Sequence, residues 1–180
     1  MTATYPIVTL GDGTVSDAAW FANITDSAND HETRLSAAEA TIATSSASNV
    51  DPTTTRTTTS TSFTTTLTAA QICGVAFTAP TSGKVLITWR CTLANSANNY
   101  TACSFGIATG SVVGSGVAFL APDDARTVST DSSTFEGQGA SEYVSGLTSG
   151  NAYNVALYHR VVAGTGSFVR RTATVIPLLA

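Results

Sequence analysis

The chain has 180 residues, 43% of them apolar and only 11% charged, with a formal net charge of −4 and eight scattered basic residues. That length holds one sizeable core plus an appendage rather than two full domains, and the charge argues against a nucleic-acid partner, because phosphate binding needs a basic face. Met1–Gly11 lacks the positive charge and apolar run of a secretory signal, and no stretch is long enough to span a bilayer, so a soluble protein made in a cytoplasm, with no membrane partner, is expected.

Residues 1–13 open with the β-prone run Tyr5, Pro6, Ile7, Val8, Thr9, Leu10 and close on the turn Gly11-Asp12-Gly13. Outside any core, Tyr5, Pro6, Ile7, Val8 and Leu10 form an exposed apolar strip, which reads as a docking segment. A helix is predicted over 14–43. Thr14-Val15-Ser16-Asp17 supplies hydroxyl caps and a first-turn carboxylate, and Ala18–Ala43 contains neither Gly nor Pro.

Within it Phe21, Ile24, Ala28, His31, Leu35, Ala38 and Ile42 recur at alternating spacings of three and four, the narrow stripe of a coiled-coil seam. Arg34 takes a g position and Glu39 the following e position, so the two can pair between neighbouring helices. Arg34-Leu35-Ser36-Ala37-Ala38-Glu39 resembles the trimerisation signature of short parallel coiled coils, with Ala38 where a larger aliphatic is usual. The competing reading is an amphipathic helix lying on its own domain. His31 falls on a d position, where a trimer brings three imidazoles to the axis. A polar layer that fixes register is the plain reading, and an axial metal or anion site the sharper one.

Residues 44–52 read as a linker, since the composition shifts to Ser, Ala and Asn and Pro52 rules out helix. A β-head is expected over 53–180. Thr53–Thr68 is nearly all threonine and reads as extended. Strands follow at Gly74–Ala79, Gly83–Leu93, Tyr100–Ala108, Gly116–Leu120, Arg126–Glu136, Glu142–Leu147, Ala152–Val162 and Ser167–Leu178. This spacing predicts a mainly β chain whose head is an antiparallel sandwich, most simply a jelly roll. If Ala94–Asn99 turns a hairpin centred on Ala97, Cys91 faces Cys103, Trp89 faces Phe105 and Ile87 faces Ile107, every pair apolar on one face.

Catalytic chemistry is sparse. Only His31 and His159 offer imidazoles, and His159, in Tyr158-His159-Arg160 on a strand, reads as a hydrogen-bonded structural residue. Cys73, Cys91 and Cys103 lack the short paired spacings of a zinc site and are read as buried thiols, so no metal and no cofactor are expected. Asp123-Asp124 reads as a solvated turn rather than a calcium loop, and Gly110, Gly114 and Gly116 as turn glycines rather than a phosphate loop. Tyr100, Tyr143, Tyr153 and Tyr158 are candidates for stacking on sugars, against a packing role.

Three stretches carry a resemblance: Thr14-Val15-Ser16-Asp17-Ala18-Ala19-Trp20-Phe21-Ala22-Asn23-Ile24 leading into His31-Glu32-Thr33-Arg34-Leu35, then Phe77–Ile87, then Gly146–Arg160. Together they resemble minor tail, fibre and head-decoration proteins of tailed bacteriophages, notably those infecting actinobacteria. The resemblance implies a homotrimer on the virion surface, docked on capsid or tail proteins through its amino-terminal segment, with a coiled coil setting threefold symmetry and a head like the tumour necrosis factor jelly roll. The chain is short for a tail fibre, which favours the capsid. The alternative is an adhesin whose head recognises host-surface glycans. An enzyme such as a depolymerase ranks third, because no paired acids on suitable strands emerge.

Overall fold

The computed structural model describes residues 25–34, the backbone of 46–50, and residues 53–69 and 71–178, and it separates into two compact units, residues 1–39 and 40–180. In the first unit residues 25–34 are helical and every one of them is exposed. Thr33 Oγ1 donates to the Asn29 carbonyl at 2.8 Å, and Arg34 lies 3.9 Å from Asp30 one turn earlier. Both partners of that ion pair are open to water, so it contributes little. Among the described residues, no helix is long and apolar enough to cross a membrane.

The second unit is an antiparallel β-sandwich. Its strands are β1 (Ser46–Val50), β2 (Arg56–Thr58), β3 (Gly74–Thr78), β4 (Val85–Asn95), β5 (Thr101–Thr109), β6 (Ala118–Leu120), β7 (Thr127–Thr130), β8 (Glu136–Val144), β9 (Ala152–Val161) and β10 (Gly166–Pro177). One sheet runs β1-β10-β4-β8, with β2 following β1 along the same edge of β10; the other runs β3-β9-β5-β6, with β7 beside β6 along one edge of β5. From β3 to β5 and again from β7 to β10, each successive strand lies in the opposite sheet.

Strict alternation explains the core. Val85, Ile87, Trp89, Cys91 and Leu93 of β4 are at most 4% exposed; with Phe168, Ala173 and Val175 of β10 beside them in the same sheet, they pack against Cys103, Phe105 and Ile107 of β5 and Val155 and Leu157 of β9. β-branched and aromatic side chains favour such half-buried pleats.

The hairpin expected between β4 and β5 does not form. β4 hydrogen-bonds to β10 and β8, while β5 hydrogen-bonds to β9, β6 and β7, and residues 96–100 carry the chain from one sheet to the other. The predicted partners still meet, but across the sandwich: the rings of Trp89 and Phe105 lie 4.7 Å apart. Alternation specifies which face a residue occupies and leaves open whether its neighbour is beside it in a sheet or opposite it in the next layer.

Three further boundaries differ from expectation. Ser46–Val50, inside the stretch read as a linker, is strand β1 on β10. Thr53–Thr68 is strand only at Arg56–Thr58; beyond it Ser60 and Thr64 run along the edge of β9, with Thr64 bridging His159 and the Val161 amide donating to the Ser60 carbonyl, and the Thr68 amide returns to the Thr57 carbonyl. Arg126–Glu136 is not one strand, since β7 ends at Thr130, Asp131–Phe135 turns, and Glu136 begins β8. The Thr130 and Ser132 hydroxyls make the turn by accepting backbone amides, with the Ser132 amide donating to Thr130 Oγ1 and the Thr134 amide to Ser132 Oγ.

Candidate functional site

Of the seam residues, Ala28 and His31 lie on the described helix and are exposed there, whereas Phe21, Ile24, Leu35, Ala38 and Ile42 lie outside the described residues. So do Glu39 and the docking strip Tyr5, Pro6, Ile7, Val8 and Leu10. Arg34, expected to reach Glu39 of another helix, has Asp30 of its own helix nearby.

The head presents a surface depression of about 520 Å³ lined by Asn98, Asn99, Tyr100, Ser129, Thr130, Asp131 and Val162. It sits where the β4–β5 connection meets the end of β7 and the end of β9. Its walls are firmly held. Asn95 donates to Thr101 Oγ1 at 2.8 Å and to the Ala163 carbonyl at 3.0 Å, and accepts from the Ala97 amide at 2.8 Å, tying the connection to β5 and to the β9–β10 loop. The Tyr100 hydroxyl lies 3.1 Å from Thr127 Oγ1.

Beside it Arg160 is gripped on several sides. Its guanidinium lies 5.3 Å from the centre of the Phe63 ring and 5.4 Å from that of Tyr100, and it donates to Asp124 through Nε at 2.9 Å and Nη2 at 2.6–2.7 Å. A forked contact of this kind orients both groups. Asp123 caps the short 3-10 turn Asp124–Arg126 by accepting from the Ala125 amide at 2.7 Å, so the Asp123-Asp124 pair is a braced turn rather than a merely solvated one.

The other tyrosines divide. Tyr153 is buried, packs on Phe77 and Phe119 and accepts from the Thr148 amide, whereas Tyr143 is exposed on β8 and Tyr158 is half-buried. Only Tyr100 of the four lines the depression. The glycines expected to turn the chain do so: Gly110, Gly114 and Gly116 have φ of 95°, 78° and 107°. At Gly116 a side chain would also run into the Thr109 carbonyl, so the position is closed to other residues.

A second cluster is internal. Cys103 of β5 and His159 of β9 are direct cross-strand partners, and Cys91 of β4 approaches from the opposite sheet, the two sulfurs and an imidazole nitrogen all lying within 4.8 Å of one another. All three residues are 0% exposed, and Cys73, Cys91 and Cys103 are free thiols, as read from the sequence. The Cys103 thiol is pushed well above its ordinary pKa by its hydrogen bond with Cys91, by burial and by the neighbouring sulfurs of Cys91 and Cys73, while Arg171 works in the opposite direction.

His159 is buried, as expected of a structural histidine, and its ring meets Phe168 edge-on at 4.7 Å. Among the described residues no well-aligned hydrogen bond reaches either ring nitrogen, and the Thr64 backbone makes a weaker polar contact with the ring. Burial first, and the Arg171 charge second, lower its pKa to about 3, while the Thr64 backbone hydrogen bond works the other way.

Arg171 is the residue that the sequence reading missed. It is 0% exposed and donates from Nη2 to the Gln71 carbonyl at 3.2 Å. It enters the core because β10 bulges: Val169 pairs with Thr92 and Thr172 with Arg90, so Arg170 and Arg171 together oppose Cys91, and Arg170 takes a left-handed φ of 54°.

No protein family matches the sequence, and no curated protein does either. Among solved structures, the chain is similar to the enzymatically active domain of tailspike protein 4 of bacteriophage CBA120, at 9% identity and a TM-score of 0.35, over 75% of this chain and 20% of that one. It is also similar to the xylan-binding module CBM15, at 11% identity and a TM-score of 0.36, over 75% of this chain and 99% of that one. The chain thus spans a fifth of the length of the tailspike domain. At these scores neither likeness bears on function.

Proposed function

We propose that this chain is a homotrimeric surface protein of a tailed-phage virion, a capsid decoration or head fibre, that works by binding and display rather than by catalysis. The observation that carries this reading is the helical segment 25–34, in which every residue is exposed, seam positions Ala28 and His31 included. An isolated helix of single-domain length is marginal alone in water and draws its stability from packing. Self-association along the heptad seam supplies it, and Arg34 then exchanges Asp30 for Glu39 of a neighbour. The head is read as a jelly roll, which the strand order β1/β2-β10-β4-β8 over β3-β9-β5-β6/β7 supports. The amino-terminal strip Tyr5–Leu10 is the anchor.

Light scattering of the full-length protein at micromolar concentration should return three times the 18.4 kDa chain mass. Deleting Met1–Gly13 should preserve that mass and abolish incorporation into particles. A monomer, or normal incorporation of the truncated protein, would overturn the reading.

The braced depression at Asn98–Tyr100 favours a second reading, an adhesin for host-surface glycans. It combines one aromatic face with amide, hydroxyl and carboxylate groups, the makings of a sugar site. In that case Asp131→Ala should weaken binding to immobilised host cell-wall polysaccharide at least tenfold without shifting the thermal midpoint, and Tyr100→Ala should weaken it as much while lowering the midpoint modestly, since its ring and hydroxyl also brace Arg160 and Thr127. Equal binding by wild type and both variants would exclude this surface.

A further inference from the structure

We propose that Cys91, Cys103 and His159 form a structural site for a thiophilic divalent cation, zinc above all, that fastens the two sheets of the head together. Three independent observations converge on it. The ligand atoms lie within 4.8 Å of one another although they come from β4 in one sheet and β5 and β9 in the other. Zinc holds thiolate sulfur at about 2.3 Å and imidazole nitrogen at about 2.1 Å, so closing the cluster onto an ion needs shifts of about an ångström or less. Next, among the described residues no well-aligned hydrogen bond reaches either nitrogen of the fully buried His159 ring. A buried polar atom left so is costly, and coordination would satisfy one of the two. Finally, β10 is bulged opposite Cys91, and bulges concentrate where a strand must re-aim side chains beside a site.

The chemistry of the donors selects the ion. Two thiols and an imidazole are soft to borderline ligands, suited to zinc and unsuited to magnesium or calcium. On binding, Cys91 and Cys103 give up their protons, so two thiolates neutralise the dication. Ligands carried on strands far apart in sequence also explain why no short zinc-type spacing marks the site. The inference concerns the head's interior and is independent of what the head displays.

The test uses full-length protein purified under reducing conditions and loaded with zinc or cobalt(II). Mass spectrometry of metal content should find one ion per chain. Chelation should lower the thermal midpoint by roughly 5 °C or more, and zinc should restore it. Cobalt(II) should give an intense thiolate-to-metal absorption in the near ultraviolet, which Cys91→Ser and Cys103→Ser abolish. If those variants do not fold, the wild-type cobalt spectrum decides alone. The proposal is overturned by a wild type that takes up no metal, by a cobalt spectrum without sulfur ligation, by a folded Cys103→Ser protein that binds zinc like the wild type, or by a Cys91–Cys103 disulfide in alkylated peptides from freshly lysed cells.

Discussion

Replacing Phe105 by alanine will cost the head about 3–5 kcal/mol, a large share of the roughly 5–15 kcal/mol that holds a typical domain together. Phe105 is 0% exposed on the inner face of β5, pairs with Leu157 of β9, and packs its ring 4.7 Å from that of Trp89 in the other sheet. Truncation therefore opens a cavity at the plane where the two sheets meet, and neither sheet can collapse into it without disturbing its own ladder. Urea unfolding followed by Trp fluorescence should show a midpoint far below that of the wild type with an unchanged slope. Tyr143→Ala, which removes a ring 54% exposed on β8, should stay within about 0.5 kcal/mol. Similar midpoints for the two variants would mean that the inter-sheet layer is not where the stability lies.

Acid should be the second large effect. In protein kept metal-free by a chelator, the folded-state pKa of His159 is about 3, against 6.5 in the unfolded chain. Because the folded value is depressed, the contribution is fully present above pH 6.5 and is lost as pH falls toward 3, the unfolded chain taking up a proton that the core refuses. The full difference corresponds to at most about 5 kcal/mol, lost at about 1.4 kcal/mol per pH unit below pH 6. Between pH 6 and 5 most carboxylates remain ionised, so that window isolates the imidazole. Among the described residues, Arg171, Cys91, Cys103, Phe168 and the Thr64 backbone meet the ring, and none of these carries a negative charge to hold an imidazolium while the thiols are protonated. Stability measured by urea unfolding at pH 7, 6 and 5 should fall along this slope in the wild type and stay flat in His159→Leu. A wild type that is equally stable at pH 7 and 5 would show that the imidazole reaches water.

The strands of the head were legible wherever one face is buried, because alternation along Val85–Leu93 announces both the strand and its inner face. The bulge was not legible, because Val169 and Ile176 are apolar at the parities opposite to those of Phe168 and Val175 respectively, and only the ladder shows the extra residue in β10. Arg171 was read past because a charge in a strand is ordinarily a solvated one. The β4–β5 crossing was not legible, since a connection of a few residues serves a hairpin and a step between sheets equally well. Ser46–Val50 was hidden for another reason: its small polar residues carry no apolar period, and its place is set by β10, over a hundred residues away. The depression beside Tyr100 depends on three loops meeting, which no local pattern encodes.

That same strand order sets a timetable. β10 is the seam of its sheet, hydrogen-bonded to β1 and β2 on one side and to β4 on the other, yet it comes last in the head. While the ribosome is still translating, β1, β2 and β4 have no shared neighbour, and the inner face of β4 has only part of its cover. The head therefore cannot close until residues near Pro177 have left the exit tunnel, and with so many distant pairings it folds slowly once they have. A nascent chain waiting in that state shows unpaired strand edges to its siblings on the same message. Any stop codon or proteolytic cut before β10 would yield not a shortened head but an aggregating one.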